Sequence, residues 1–289
     1  SITRTTSLPD VCSSDLVDHQ DHIVAGRAQH GSARGRQVAA RSRCQWSAGR
    51  PRRSGRVVAF SRVLSAGATM QIPFPAEQFF DVLRQYNSKV WPAQLVLLAL
   101  ALLAVILIAL RRPWSGVVVS GILALLWVWL GAAYHLAFFA RINPVAYGFG
   151  ALSIVAGLLF AWHGVLSRRL EFAFTRGLRT GLGVTLVGFA LLVYPVWATL
   201  AGHAYPELPT FGLPCPTTIF TVGVLAFATG RNLRAVLVVP ILWTLVGSQA
   251  AFLLDVKPDF GLLAAGAVAI GLFVCPARVQ ATSVAAPRK

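Results

Sequence analysis

The chain is short of charge, and of acid above all: among 289 residues only 12% are charged, with 10 Asp plus Glu against 26 Lys plus Arg. Soluble domains carry about 25% charged residues, so a water-facing surface could not be coated and a soluble globular protein is excluded. At 56% hydrophobic residues, a disordered polycation is excluded as well. Cysteine is equally scarce, at four residues. Cys12 and Cys44 lie in the leader, while Cys215 and Cys275 fall at opposite ends of two apolar runs. Those two would sit a membrane thickness apart, whereas a disulfide needs Cα atoms within about 7 Å. No CxxC or HxxxH spacing occurs, so no metal site is expected, and no cofactor motif is present. The middles of the apolar runs hold no Asp, Glu, Lys or Arg, the groups that proton relays and voltage sensors use. That weighs against an ion-coupled pump and leaves room for a carrier of neutral solutes.

Methionine occurs once, at Met70. Residues 1–69 hold 11 Arg, no Lys and no sustained period of 2 or 3.6. The run Asp10-Val11-Cys12-Ser13-Ser14-Asp15-Leu16 back-translates to GAC-GTG-TGC-TCT-TCC-GAT-CT, which looks like a sequencing adapter joined to a metagenomic contig. We therefore expect residues 1–69 to be a non-native leader, or else a disordered Arg-rich segment, with translation starting at Met70. A foreign leader leaves nucleic-acid binding without support.

What the sequence does have is long apolar runs. Pro92–Leu110, Trp114–Phe139, Pro144–Leu166, Thr180–Ala201, Cys215–Thr229, Leu233–Leu254 and Phe260–Cys275 follow one another with short polar punctuation. A helix needs about 20 apolar residues to cross a 30 Å hydrocarbon core, and five of these runs suffice. Cys215–Thr229 and Phe260–Cys275 reach only about 24 Å at 1.5 Å per residue. The runs do not alternate as barrel strands would, so the expected fold is an all-α transmembrane bundle of about seven spans. Alternate loops carry 11 and 4 Lys plus Arg. The positive-inside rule then predicts an outer N-terminus, a cytoplasmic C-terminus and a multi-pass protein of the plasma (inner) membrane.

Ahead of the first run, residues 75–90 read as an amphipathic helix. Phe79, Leu83, Tyr86 and Val90 share one face. Anchoring at the membrane interface explains that pattern, and a lid over an outward-facing cavity is the sharper alternative. The most unusual stretch is Gly212-Leu213-Pro214-Cys215-Pro216-Thr217-Thr218. Pro216 suits a first helical turn, and a recessed helix N-terminus there could offer free N–H groups to a ligand beside Cys215. Tyr134, His135, Asn143 and Asp255 fall at the same outer depth. With Cys215, Thr217 and Thr218 they form the candidate outer-face polar cluster; Tyr147, His203 and Glu207 lie at that depth too. Pro195 and Pro240 lie inside spans and could act as hinges. No catalytic constellation can be assigned.

Pro73-Phe74, Glu77-Gln78-Phe79, Tyr86-Asn87, Trp91-Pro92-Ala93-Gln94 and Pro214-Cys215-Pro216-Thr217-Thr218 together resemble a family of bacterial integral membrane proteins, domain of unknown function 6064. The resemblance runs from about Met70 to Cys275. It implies a membrane protein and carries no activity, cofactor or site residue with it. The label permease, attached loosely to some members, implies transport. The expected partners are the lipid bilayer and either a small solute or another membrane protein. A small-solute permease leads, against a membrane enzyme with an outward-facing Cys/His site and an accessory subunit of a membrane complex.

Overall fold

Leu, Ala, Val and Ile dominate the chain after Trp91. In hydrocarbon such segments must satisfy every backbone polar group internally, which a helix does within itself. The computed structural model describes residues 73–275, Arg231 excepted, and it is an all-α bundle. The expectations for residues 1–69 lie outside the described residues. Helix α1 (Ala76–Val90) is followed by α2 (Ala93–Leu110) and α3 (Ser115–Trp129), which continues as a π-helix through Leu130–Leu136. Next, α4 (Ala146–Phe160) also runs into a π-helix, Ala161–Leu166. The α5 helix (Leu178–Gly188) passes through a π segment, Phe189–Val193, into α6 (Tyr194–Leu200). Then come α7 (Pro214–Leu225), α8 (Leu233–Gly247), α9 (Gln249–Leu253) and α10 (Phe260–Val274).

Six helical segments are long and apolar enough to cross a membrane: Ala93–Leu110, Ser115–Arg141, Ala146–Leu166, Leu178–Leu200, Leu233–Leu253 and Lys257–Val274. Their outer faces expose large apolar side chains such as Leu102, Ile106, Leu125, Leu158, Leu192, Leu245 and Ile270, a surface suited to lipid rather than to water.

The fifth run departs from the expected helix over Cys215–Thr229. Its helical part, α7, has 12 residues, about 18 Å at 1.5 Å per residue. Beyond it, Ala228–Thr229 leaves the helix and pairs antiparallel with Glu171–Phe172 as a short ribbon, β1 and β2. Instead of facing lipid, α7 is the axis of the bundle. Every residue from Pro216 to Leu225 is buried, packed among α5, α8 and α10. Small residues permit this: a Cβ on Gly223 would sit 2.9 Å from the Val187 backbone nitrogen and 3.1 Å from the Gly183 carbonyl, so α5 and α7 touch backbone to backbone, as close membrane helix pairs do. Trp127 Nε1 of α3 donates to Thr221 Oγ1 at 3.1 Å, and Thr221 donates in turn to the Thr217 carbonyl at 2.7 Å.

At one end of the bundle α1 lies across the helices. Its Val82, Leu83 and Tyr86 are buried against Tyr134, Phe138, Phe139, Ala146 and Leu213. Beside it runs the loop from Gly202 to Leu213, and together they cover that end.

Candidate functional site

Beneath α1 lies a cavity of about 230 Å³. Phe74, Phe79 and Leu83 roof it from the α1 region, and Pro209 and Leu213 from the loop. The π-helical continuation of α3 presents Tyr134 and His135. Such wide turns shift side chains out of the regular 3.6 register and often occur at functional positions. Phe149 comes from α4, Tyr194 from the start of α6, Cys215 from the first turn of α7, Trp243 from α8, and Asp259 from the start of α10.

The cluster expected from the sequence divides here. Tyr134, His135, Asn143 and Cys215 line the cavity together; Thr217, Thr218 and Asp255 do not. Thr217 and Thr218 are buried deeper in the packed axis, and neither hydroxyl has a hydrogen-bond partner. Asp255 has a left-handed backbone, φ 53°, a conformation Asp tolerates better than most residues. Its side chain is 80% exposed, with Oδ2 4.0 Å from Lys257 Nζ. The inward acid is instead Asp259, only 2% exposed, carried in by the 3-10 turn at Lys257–Asp259. Tyr194 Oη donates to Asp259 Oδ1 at 2.5 Å.

The other polar residues of that end have separate duties. Asn143 Oδ1 accepts the Val145 N–H at 3.1 Å and so helps start α4. Tyr147 is exposed, His203 stacks on Phe80 with centroids 4.8 Å apart, and Glu207 pairs with Arg84. The α7 terminus offers fewer free N–H groups than its recess implied. Pro214 and Pro216 have none, and the Thr217 N–H donates to the Leu213 carbonyl at 3.2 Å.

Some side-chain atoms of this end lack partners. His135 is fully buried, and neither Nδ1 nor Nε2 makes a hydrogen bond; Trp243 Nε1 is buried and unpaired too. The two rings pack edge to face, with centroids 5.0 Å apart, and Phe149 lies 5.3 Å from Trp243. Buried polar groups nearly always find a partner, so three orphan nitrogens on two residues that line one cavity are an exception that needs a reason. No hydrogen bond joins His135 to Cys215, so the paired thiol and imidazole that nucleophilic catalysis uses is not formed. No group of three or more His, Cys, Asp or Glu side chains able to hold a metal ion occurs among the described residues.

The roof is held by hydrogen bonds as well as by apolar contact. Asn87, fully buried on α1, donates from Nδ2 to the Pro206 and Leu208 carbonyls at 2.6 and 2.8 Å. Its Oδ1 accepts from Gln94 at 2.9 Å and from Thr210 at 2.7 Å, so all four hydrogen-bonding positions of the amide are used. Arg84 donates to Glu207 at 2.6 and 3.1 Å, and this hydrogen bond raises the guanidinium above its ordinary pKa. Trp129 Nε1 donates to Tyr86 Oη at 2.8 Å. Burial pushes the Tyr86 phenol up to about 12 even though that hydrogen bond opposes the shift.

Asp259, Tyr194, Trp243 and the role of Asn87 escape a reading of the sequence. The first lies one residue outside an apolar run, and the others read as ordinary membrane-interface or core residues. The only trace of Asn87 was its place in the Tyr86-Asn87 motif.

No curated protein and no solved structure matches the chain. Residues 76–283 match the model of a family described as Family of unknown function (DUF6064). The chain belongs to that family.

Proposed function

We propose that this protein is a permease-like membrane protein that takes a small solute into the cavity beneath α1. The observation that carries this reading is that His135 and Trp243, whose ring nitrogens are all buried and unpaired, line one cavity whose other walls are mostly apolar and aromatic. Binding sites for small molecules have this composition, an apolar lining with a few convergent polar groups. The helices around it are far apart in sequence, α3 and α4 on the one hand and α8 to α10 on the other, which suits a site opened by relative helix movement. In this reading α1 and the 202–213 loop form a lid, and the cavity faces outward across the plasma (inner) membrane. The 11-to-4 Lys plus Arg imbalance between loop sets supports that orientation.

Two experiments test it. Protein in liposomes, loaded with a panel of small solutes, should give flux above protein-free vesicles; flux equal to empty vesicles across the panel would sink the transport reading. A reporter active only in the cytoplasm should work when fused after Lys289 and stay silent within the 202–213 loop, and the opposite pattern would invert the topology.

A further inference from the structure

We propose that the solute taken by this cavity is a small organic monocation, a primary amine with an apolar or aromatic body. The proposal rests on the binding reading above and specifies its chemistry. Asp259 is 2% exposed, yet it forms part of the cavity wall. Tyr194 donates to its Oδ1 and the Cys215 thiol is a second hydrogen-bonding neighbour, and both partners are uncharged. Among the described residues no Lys or Arg lines this space, so no side-chain cation neutralises the carboxylate. The α10 N-terminus, which begins at the residue after Asp259, favours the ionised form through its dipole but supplies only a partial charge. A carboxylate buried at membrane depth without a counter-charge is costly, and such residues in membrane proteins face substrate or ion paths.

The remaining walls fit the rest of an amine. Trp243, Phe149, Tyr134 and Phe139 present aromatic rings, and aromatic faces attract organic cations once water is removed. An ammonium group has three donors and no acceptor. Asp259 accepts one, and an unprotonated nitrogen of His135, which has no protein partner, accepts a second. The other His135 nitrogen and the Trp243 N–H then remain as donors for water or for a hydroxyl elsewhere on the solute. A carboxylate solute would meet Asp259 as a like charge. A neutral alcohol would leave Asp259 without a counter-charge.

The test compares three probes of nearly one shape, benzylamine, benzyl alcohol and benzoate, by calorimetric titration of the full chain in lipid nanodiscs. The expected ranking is benzylamine at least about tenfold tighter than benzyl alcohol, because a charge-assisted hydrogen bond is stronger than a neutral one, and no detectable benzoate binding. D259N should reduce benzylamine to the affinity of benzyl alcohol while leaving benzyl alcohol unchanged. If benzyl alcohol or benzoate binds as tightly as benzylamine, or if D259N keeps the amine preference, the cation assignment is wrong while the solute-binding reading stands. If none of the three binds, both fall. Should D259N fail to fold, the ranking on the unaltered protein decides the matter alone.

Discussion

The two ends of the bundle are built on different principles. At the α1 end the polar groups are turned inward: Asn87, His135 and Asp259 are all buried, and hydrogen bonds tie α1 to the 202–213 loop over a cavity. At the other end several arginines are turned outward. Arg111, Arg112 and Arg168 stand around a groove beside the β1–β2 ribbon, and Arg234 donates to the Phe273 carbonyl at the end of α10. One end keeps its polar groups at high energetic stake, in the low-dielectric interior where an unmet partner is expensive. The other leaves arginines where water and lipid phosphates serve them.

The largest test of that contrast is Asn87→Ala. Removing the amide strands the Pro206 and Leu208 carbonyls and the Thr210 and Gln94 groups at once, and should cost about 2–4 kcal/mol, read as a large fall in Tm in detergent. Arg168→Ala at the opposite end should stay within about 0.5 kcal/mol. Equal effects at the two ends would erase the distinction.

Trp243→Phe should act in two opposite directions. The Trp243 N–H is buried and unpaired, so replacing it with an apolar ring should leave the empty protein as stable or stabilise it by about 1 kcal/mol. Solute binding should weaken. Loss of stability together with unchanged binding would mean that Trp243 is a packing residue alone.

A third measurement compares the two described cysteines. Cys275 is exposed and Cys215 is partly buried at the cavity. In intact cells a membrane-impermeant thiol reagent should reach Cys215 through the lid and spare Cys275 until the cells are opened. In detergent the order of rates should reverse, with Cys275 the faster by roughly tenfold or more, since thiol reactivity follows access. A Cys215 that resists even in detergent would mean a sealed cavity.

The smallest effect is expected at Arg84→Gln. Its pair with Glu207 is short, at 2.6 Å, but both side chains are about half exposed, at 50% and 41%. Exposed pairs contribute at most about 1 kcal/mol, and less at high salt. The roof should therefore survive this change and fail on loss of Asn87. A larger loss from Arg84→Gln than from Asn87→Ala would reverse the account of what holds the lid.

How much of this was legible in the sequence follows from the range over which each interaction acts. A membrane helix satisfies its own backbone within four residues, so the runs of Leu, Ala and Val announce helices wherever they are long enough, and the runs from Pro92 and Leu233 correspond to helical spans at Ala93–Leu110 and Leu233–Leu253. The same local logic left the packing of Cys215–Thr229 open, where the helix ends at Leu225. An apolar run of that length says only that water is excluded, and a lipid-facing span and a helix buried within protein look alike in composition. What separated them was Gly183 meeting Gly223, a contact between two helices.

The site lies further still from any local rule. Tyr134, His135, Asn143 and Cys215 shared an expected depth, and the structure sets them around one cavity. Depth alone could not choose between Asp255 and Asp259, because side-chain direction there depends on the left-handed residue at Asp255 and the 3-10 turn that follows it. The sequence by itself determined that this chain is a helical bundle clothed in apolar residues, because backbone hydrogen bonding and hydrophobicity act over neighbouring residues. Only the tertiary structure decided that α7 is the axis, that Asn87 holds the roof, and that Asp259, His135 and Trp243 meet at one cavity, because such contacts join residues as far as 123 positions apart and depend on how the helices pack.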